Sequence, residues 1–276
     1  MLDQFIRSLK TFKKIWKADK VLAFSVLQSR IEKYLGFTIF FVDPARIRTR
    51  LFEISRTEKK SPDLRIYGNY HLFKDLIPER PVVISLGIGE DTRFDEAILD
   101  EHSAELYMFD PTPRSFRYVM SRSNLNNANF KELAISDFDG VLDMYIDDLE
   151  ASLSTTTSVS VIPSKISQKP HKVKCKSILT IMKEEGLKNI DVLKIDIEGG
   201  GITVMKTLLN NKIFPTQICG EFERPLDVEK TKKFLNDMGA IMQTLNDNGY
   251  RIFRTRNEDI GFQVEITAAR YLDCFE

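Results

Sequence analysis

Several stretches of this 276-residue chain end an apolar run in glycine or carboxylate side chains, the residue types that let a backbone approach a small ligand and hold its polar groups. The first is Val82-Val83-Ile84-Ser85-Leu86-Gly87-Ile88-Gly89. A strand-like run leads straight into Gly-x-Gly, where the missing Cβ atoms allow a sharp turn against a ligand. Glu90 and Asp91 follow, and the third glycine of a dinucleotide fingerprint is absent. Carboxylates there repel a pyrophosphate and tolerate a cationic, phosphate-free group. The turn therefore suits a sulfonium nucleoside better than a nicotinamide dinucleotide.

Asp110 closes the next apolar run, Leu106-Tyr107-Met108-Phe109, about 20 residues after the glycines. An acidic residue at that spacing accepts from both ribose hydroxyls; the plainer role is to cap its own turn ahead of Pro111. The glycines favour the ribose role. Ala134-Ile135-Ser136-Asp137 follows a third run, with Ile135 suited to an adenine face and Asp137 to the exocyclic amine. A fourth run, Asp191-Val192-Leu193-Lys194-Ile195, ends in Asp196 and Glu198 with glycines behind. A fifth ends in Glu221 and Glu223. Open α/β sheets bind ligands outside the carboxyl ends of their strands. These four carboxylates therefore share a rim, where they can serve as a general base or hold a hard cation such as Mg²⁺ at Asp196, Glu221 and Glu223.

Elements that alternate between strand and helix must position these residues. The pattern predicts strands at 82–86, 105–109, 129–133, 191–195, 217–222, 250–254 and 262–267, the last two as an edge hairpin. Residues 140–175 interrupt the alternation with a short strand near 141–146 and a Ser/Thr-rich stretch at 152–160, read as a loop over the site or a plain surface insertion. His171 within it is an outside candidate for a base. Tyr67, Tyr70 and Phe73 precede the first strand and suit either a sugar-stacking wall or the core. Residues 2–16 and 21–35 have helical spacing, with Lys10, Lys13, Lys14 and Lys17 opposite the apolar face of the first. That helix either docks on the protein's own core or touches a membrane surface or partner through residues 2–17. The division expected is a helical extension at 1–65 and a Rossmann-like domain at 66–276.

Bulk properties narrow the classes. Lys+Arg and Asp+Glu each number 40, so the chain lacks the basic excess of a nucleic-acid binder. Hydrophobic residues make up 42%, enough for a sizeable core, yet no run approaches the ~20 apolar residues of a membrane span. Three scattered cysteines, Cys175, Cys219 and Cys274, fit reduced thiols in the cytoplasm.

The segments Gly87-Ile88-Gly89-Glu90-Asp91 with Phe94-Asp95, Phe109-Asp110-Pro111-Thr112-Pro113, and Leu193-Lys194-Ile195-Asp196-Ile197-Glu198-Gly199 resemble the FkbM family of methyltransferases. The resemblance spans roughly residues 66–267. It implies a class I methyltransferase fold, a seven-stranded, mostly parallel sheet with a reversed last strand and helices on both faces. It also implies S-adenosyl-L-methionine as cofactor and O-methylation, often of sugar or glycan hydroxyls. The cofactor candidates are then Gly87, Ile88, Gly89, Asp91, Asp95, Asp110, Pro111, Thr112, Ala134, Ile135 and Asp137, and the catalytic candidates Asp196, Glu198, Glu221 and Glu223. Two positions depart from the family pattern: Gly201 stands where a glutamate is usual, and Glu223 where a histidine is frequent. The alternatives are a binding module that keeps the cofactor without chemistry and, further off, an NAD-dependent oxidoreductase.

Overall fold

The computed structural model describes residues 64–146, 159–160, 171–223, 228–254 and 263–270. The expected N-terminal helices, and any membrane or partner contact through residues 2–17, lie outside the described residues. The expected division at residue 66 falls inside the first strand, β1 (Leu64–Tyr67), which pairs antiparallel with β2 (Tyr70–Phe73).

The central sheet has seven strands: β3 (Val82–Leu86), β4 (Glu105–Phe109), β5 (Asn129–Lys131), β10 (Val192–Ile195), β11 (Gln217–Glu223), β12 (Tyr250–Arg254) and β13 (Gln263–Arg270). Their spatial order is β12-β13-β11-β10-β3-β4-β5. β5, β4, β3, β10 and β11 run parallel, and β13 is reversed between β11 and β12. This is the class I methyltransferase sheet that the resemblance implies. β3 is buried from Val83 to Leu86, as a central parallel strand covered on both faces must be.

Period-two alternation sends the side chains of one strand to two cores. Ile84, Leu86, Leu193 and Ile195 meet α3 (Ile178–Glu184), α4 (Gly201–Asn210) and α5 (Val228–Asp247). Val83, Leu106, Met108 and Val192 face α1 (Arg93–Glu101), α2 (Pro113–Met120) and the β1–β2 hairpin. α4 presents Val204, Met205, Leu208 and Leu209 at helical spacing to the first core. α2 starts where Thr112 accepts the Ser115 amide hydrogen (3.3 Å) and Pro113 occupies the first turn, where a missing N–H costs nothing.

Within 140–175 the described residues are strand, the expected one near 141–146 among them, and most of the Ser/Thr-rich stretch 152–160, with the loop expected there, lies outside the described residues. β6 (Ala134–Ser136), β7 (Gly140–Ile146), β8 (Val159–Ser160) and β9 (His171–Ser177) form a second sheet in the order β6-β9-β7-β8. His171 opens β9 opposite Met144 and is exposed on this second sheet. Tyr67, Tyr70 and Phe73 are all buried, so the core alternative holds for them and the stacking wall does not. No helix among the described residues is long and apolar enough to cross a membrane.

Candidate functional site

Gly87 and Gly89 turn the chain out of β3 with φ of 77° and 57°. At Gly87 an added Cβ would stand 1.8 Å from the Asp196 carbonyl oxygen, so only glycine lets the turn lie against the end of β10. At Gly89 nothing lies within 4 Å of the same position, and the turn opens onto free space. Packing thus sets the first glycine, and the second leaves a cradle.

Asp110 pins this turn. Its Oδ2 accepts the amide hydrogens of Ile88 (3.0 Å) and Gly89 (2.9 Å), and its Oδ1 accepts from Thr112 N (2.9 Å) and Thr112 Oγ1 (2.6 Å). A carboxylate offers about four lone-pair positions, and the protein fills them all. The sequence left a ribose contact and a turn cap open for Asp110. The geometry shows it capping two turns at once.

The charges at the mouth are also paired. Arg93 Nε donates to Asp91 Oδ1 (2.8 Å), holding the Asp91 carboxyl below the usual carboxylate range, and Arg114 pairs with Glu90. A pyrophosphate would meet two carboxylates whose own cations are already engaged.

Beneath the turn the register aligns a polar row. Lys194 sits beside Ser85 on one side and Cys219 on the other, and Cys219 beside Thr267. Lys194 is 2% exposed; its Nζ donates to Gly87 O and lies 3.7 Å from Asp196 Oδ2 and 5.4 Å from the Tyr70 ring centroid. Tyr70 is buried beside this pair, and burial, with the charge of the nearby Asp196 carboxylate adding to it, pushes the Tyr70 phenol far above its ordinary range. Asp95, on α1, points into this row and is fully buried. Neither of its oxygens nor Ser85 Oγ has a hydrogen bond of good geometry. Burial pushes the Asp95 carboxyl up to about 6, against the opposing pull of the Lys194 charge. Burial likewise raises the Cys219 thiol.

The remaining candidates divide by place. Pro111 and Thr112 join β4 to α2 beside the glycine turn. Ala134 and Ile135 are buried on β6, and Asp137 is exposed just beyond it. Asp196 and Glu198 follow β10, while Glu221 and Glu223 close β11. A cleft of about 200 Å³ lies between α4 and α5, with Ile197, Thr203, Phe222, Glu223 and Phe234 in its walls. Gly201 borders it. A Cβ there would press on the Phe222 ring and Ile195 Cγ2 at 3.0 Å, so the departure from glutamate is matched by a ring occupying that space. Among the described residues no three His, Cys, Asp or Glu side chains converge tightly enough to hold a metal ion. The possible Mg²⁺ position therefore has no ready-made donor set. The sequence reading passed over Lys194 as a site residue. A lysine inside the apolar run 192–195 was the available signal, because a charge in a central strand must be paired.

The family model described as Methyltransferase FkbM domain matches residues 82–252. No curated protein matches the chain significantly. The solved structures similar to it include the fibrillarin pre-rRNA processing protein of Methanococcus jannaschii, at 12% identity over 75% of this chain and 70% of that one, with a TM-score of 0.39. A putative S-adenosylmethionine-dependent methyltransferase from Listeria monocytogenes is also 12% identical, over 72% and 96% of the two chains, with a TM-score of 0.39. A ribosomal protein L11 methylase from Lactobacillus delbrueckii subsp. bulgaricus is 10% identical over 84% and 81%, with a TM-score of 0.36.

Proposed function

Because the chain belongs to the FkbM methyltransferase domain family, we propose that it is an S-adenosyl-L-methionine-dependent O-methyltransferase acting on a sugar or glycan hydroxyl. The observation that carries the reading is the Gly87–Gly89 turn, fixed between Asp110 and Asp196 and open at Gly89. The donor set around it fits the cofactor. Carboxylates surround the cradle and the nearby arginines are engaged, which favours a cationic ligand without phosphates over NAD.

The cofactor supplies a methyl group on a cationic sulfur; the protein must place an acceptor oxygen in line with it and take up a proton. Adenosine would lie over the β4 and β6 ends, with Ile135 toward the base and Asp137 near its amine. A ribose hydroxyl reaches the Asp110 carboxylate only by displacing one of its four present donors, so we assign Asp110 chiefly to holding the turn. Since β10 lies on the other side of β3, the amino-acid end and the acceptor belong there. Glu223 lines the cleft and is assigned as the general base, a role typically worth ~10²–10⁴-fold. Glu198 and Glu221 orient the acceptor. Alignment of the reacting atoms adds several kcal/mol of barrier lowering. Cys175 and Cys219 are buried free thiols, in keeping with action in the cytoplasm. The zero net charge favours a small molecule or glycan over a nucleic acid as acceptor. Residues 66–276 would form the catalytic domain and 1–65 an extension to it.

Titration calorimetry with S-adenosylhomocysteine, using NADH as control, tests the premise. Micromolar binding of the homocysteine nucleoside alone is expected, and binding of NADH instead would end the methyltransferase reading. Cofactor binding with no methyl transfer to any sugar or glycan acceptor would favour the binding-module alternative, which the departures at Gly201 and Glu223 motivate.

A further inference from the structure

Two successive peptide units carry the chain out of β3, and both are gripped from either side. The first, Leu86–Gly87, is held by backbone alone. Leu86 O accepts from the Asp196 amide after β10 (2.9 Å), and the Gly87 amide donates to Phe109 O at the end of β4 (2.9 Å). The second, Gly87–Ile88, lies past the end of the strand, and side chains take over there. Gly87 O accepts from the Lys194 ammonium on the β10 side, and the Ile88 amide donates to Asp110 Oδ2 on the β4 side (3.0 Å). Successive peptides of a strand ordinarily face opposite neighbours. Here the positive φ of Gly87 (77°) lets the second face the same way as the first.

A peptide group is planar, so fixing its oxygen and its N–H together fixes its orientation. The two clamps also carry opposite charges. An ammonium on the carbonyl and a carboxylate on the N–H both match the peptide's own dipole, and charged partners make the stronger hydrogen bonds. The orientation passes directly to Gly89, whose amide donates to the same Asp110 Oδ2 (2.9 Å) and where the cradle opens. Register places Lys194 beside Ser85, short of Gly87, so that its four-carbon stem carries the ammonium forward to the turn while the residue stays buried. Asp196 Oδ2 at 3.7 Å offsets the charge without capturing the donor.

We propose that Lys194 is a positioning residue of the cofactor site, paired with Asp110 across the Gly87–Ile88 peptide: the two side chains, on opposite sides of β3, jointly set the floor on which the cofactor lies. The proposal rests on the methyltransferase reading.

The test is Lys194→Met, which keeps an unbranched apolar stem and removes the ammonium. Calorimetry should show S-adenosylhomocysteine binding weakened roughly 10- to 100-fold, the range for losing a hydrogen bond from a charged donor. A double-mutant cycle with Asp110→Asn separates positioning from mere support of the fold. Residues on separate strands that share no partner have additive effects, whereas two that grip one peptide are coupled. In the Asp110→Asn background Lys194→Met should therefore weaken binding by less than about threefold. Hydrogen exchange on the wild type needs no variant: the Ile88 amide should be as protected without ligand as the amides inside β3. Additive effects in the cycle, unchanged binding in Lys194→Met, or an Ile88 amide that exchanges freely in the unliganded chain would each overturn the proposal while leaving the methyltransferase reading intact. Wild-type protein that fails to bind S-adenosylhomocysteine would bring down that reading itself.

Discussion

Asp110 accepts the Gly89 amide hydrogen at 2.9 Å across the gap between two strand ends, so a side chain just after β4 sets the shape of the loop after β3. The same carboxylate holds Thr112, which caps α2. Asp110→Asn replaces two acceptor positions by an NH₂ group that faces backbone or hydroxyl donors whichever way it is turned. A buried donor left without its acceptor costs about 1–3 kcal/mol. In a chain of this size the melting temperature should fall by roughly 3–10 °C. S-adenosylhomocysteine binding should weaken at least about tenfold, a loss of some 1.4 kcal/mol. An Asn variant with unchanged melting and binding would show that Asp110 does not shape the turn.

The two glycines of that turn should respond differently to alanine. At Gly87 the new methyl would overlap the Asp196 carbonyl at 1.8 Å, with no flexible side chain to give way. Gly87→Ala should therefore accumulate as misfolded protein or melt far below wild type. Gly89 has a positive φ but open space around it. Gly89→Ala pays only the left-handed backbone cost of about 1–2 kcal/mol and should fold. Its methyl then stands in the cradle, so calorimetry should show S-adenosylhomocysteine binding largely lost. Retained binding in folded Gly89→Ala would place the cofactor elsewhere.

The central sheet and its turn were legible because buried parallel strands write themselves as unbroken apolar runs ending in glycine or acid. All seven expected strands appear, within a few residues of their expected ends, and Asp196 and Glu223 stand at strand ends as read. The β1–β2 hairpin was not legible as a site element. Its aromatics at 67, 70 and 73 look alike in sequence, and only the dock through Gln217 shows that one of them lies over the Lys194 ammonium. β9 was missed because its run His-Lys-Val-Lys-Cys-Lys-Ser carries charge at every second position and buries little besides Cys175, Ser177 and part of Val173. The polar row of Ser85, Lys194, Cys219 and Thr267 depends on register across four strands, which no single segment encodes.

Glu223 carries the catalytic half of the proposal. It lines the cleft beside Phe222 and Phe234, where an acceptor would sit. Glu223→Gln keeps size and removes the base. Methyl transfer to a responsive acceptor should fall ~10²–10⁴-fold. S-adenosylhomocysteine affinity should stay within about twofold, because the base contacts the acceptor rather than the cofactor. A tritium-transfer assay alongside calorimetry separates the two; an active Gln variant would move the base to another carboxylate on the rim.

Asp95 gives a pH signature that tests the buried row independently of any acceptor. Its carboxyl is raised from 3.8 to about 6 chiefly by burial, so the ionised form is disfavoured in the folded chain relative to the unfolded one. A raised folded-state value contributes stability that is fully present below the ordinary carboxylate range and is lost as pH rises through about 6. Asp95→Asn mimics the protonated form and lacks this loss. At pH 7.5 the Asn variant should therefore melt above wild type. The two curves should converge as pH is lowered from 7 toward 4, with the change centred between the two values. Thermal melts across that interval measure the difference directly, since shared effects of other carboxylates cancel. A wild type that is the more stable of the two at pH 7.5 would mean that the Lys194 ammonium outweighs desolvation, and that Asp95 and Lys194 form a net stabilising buried pair.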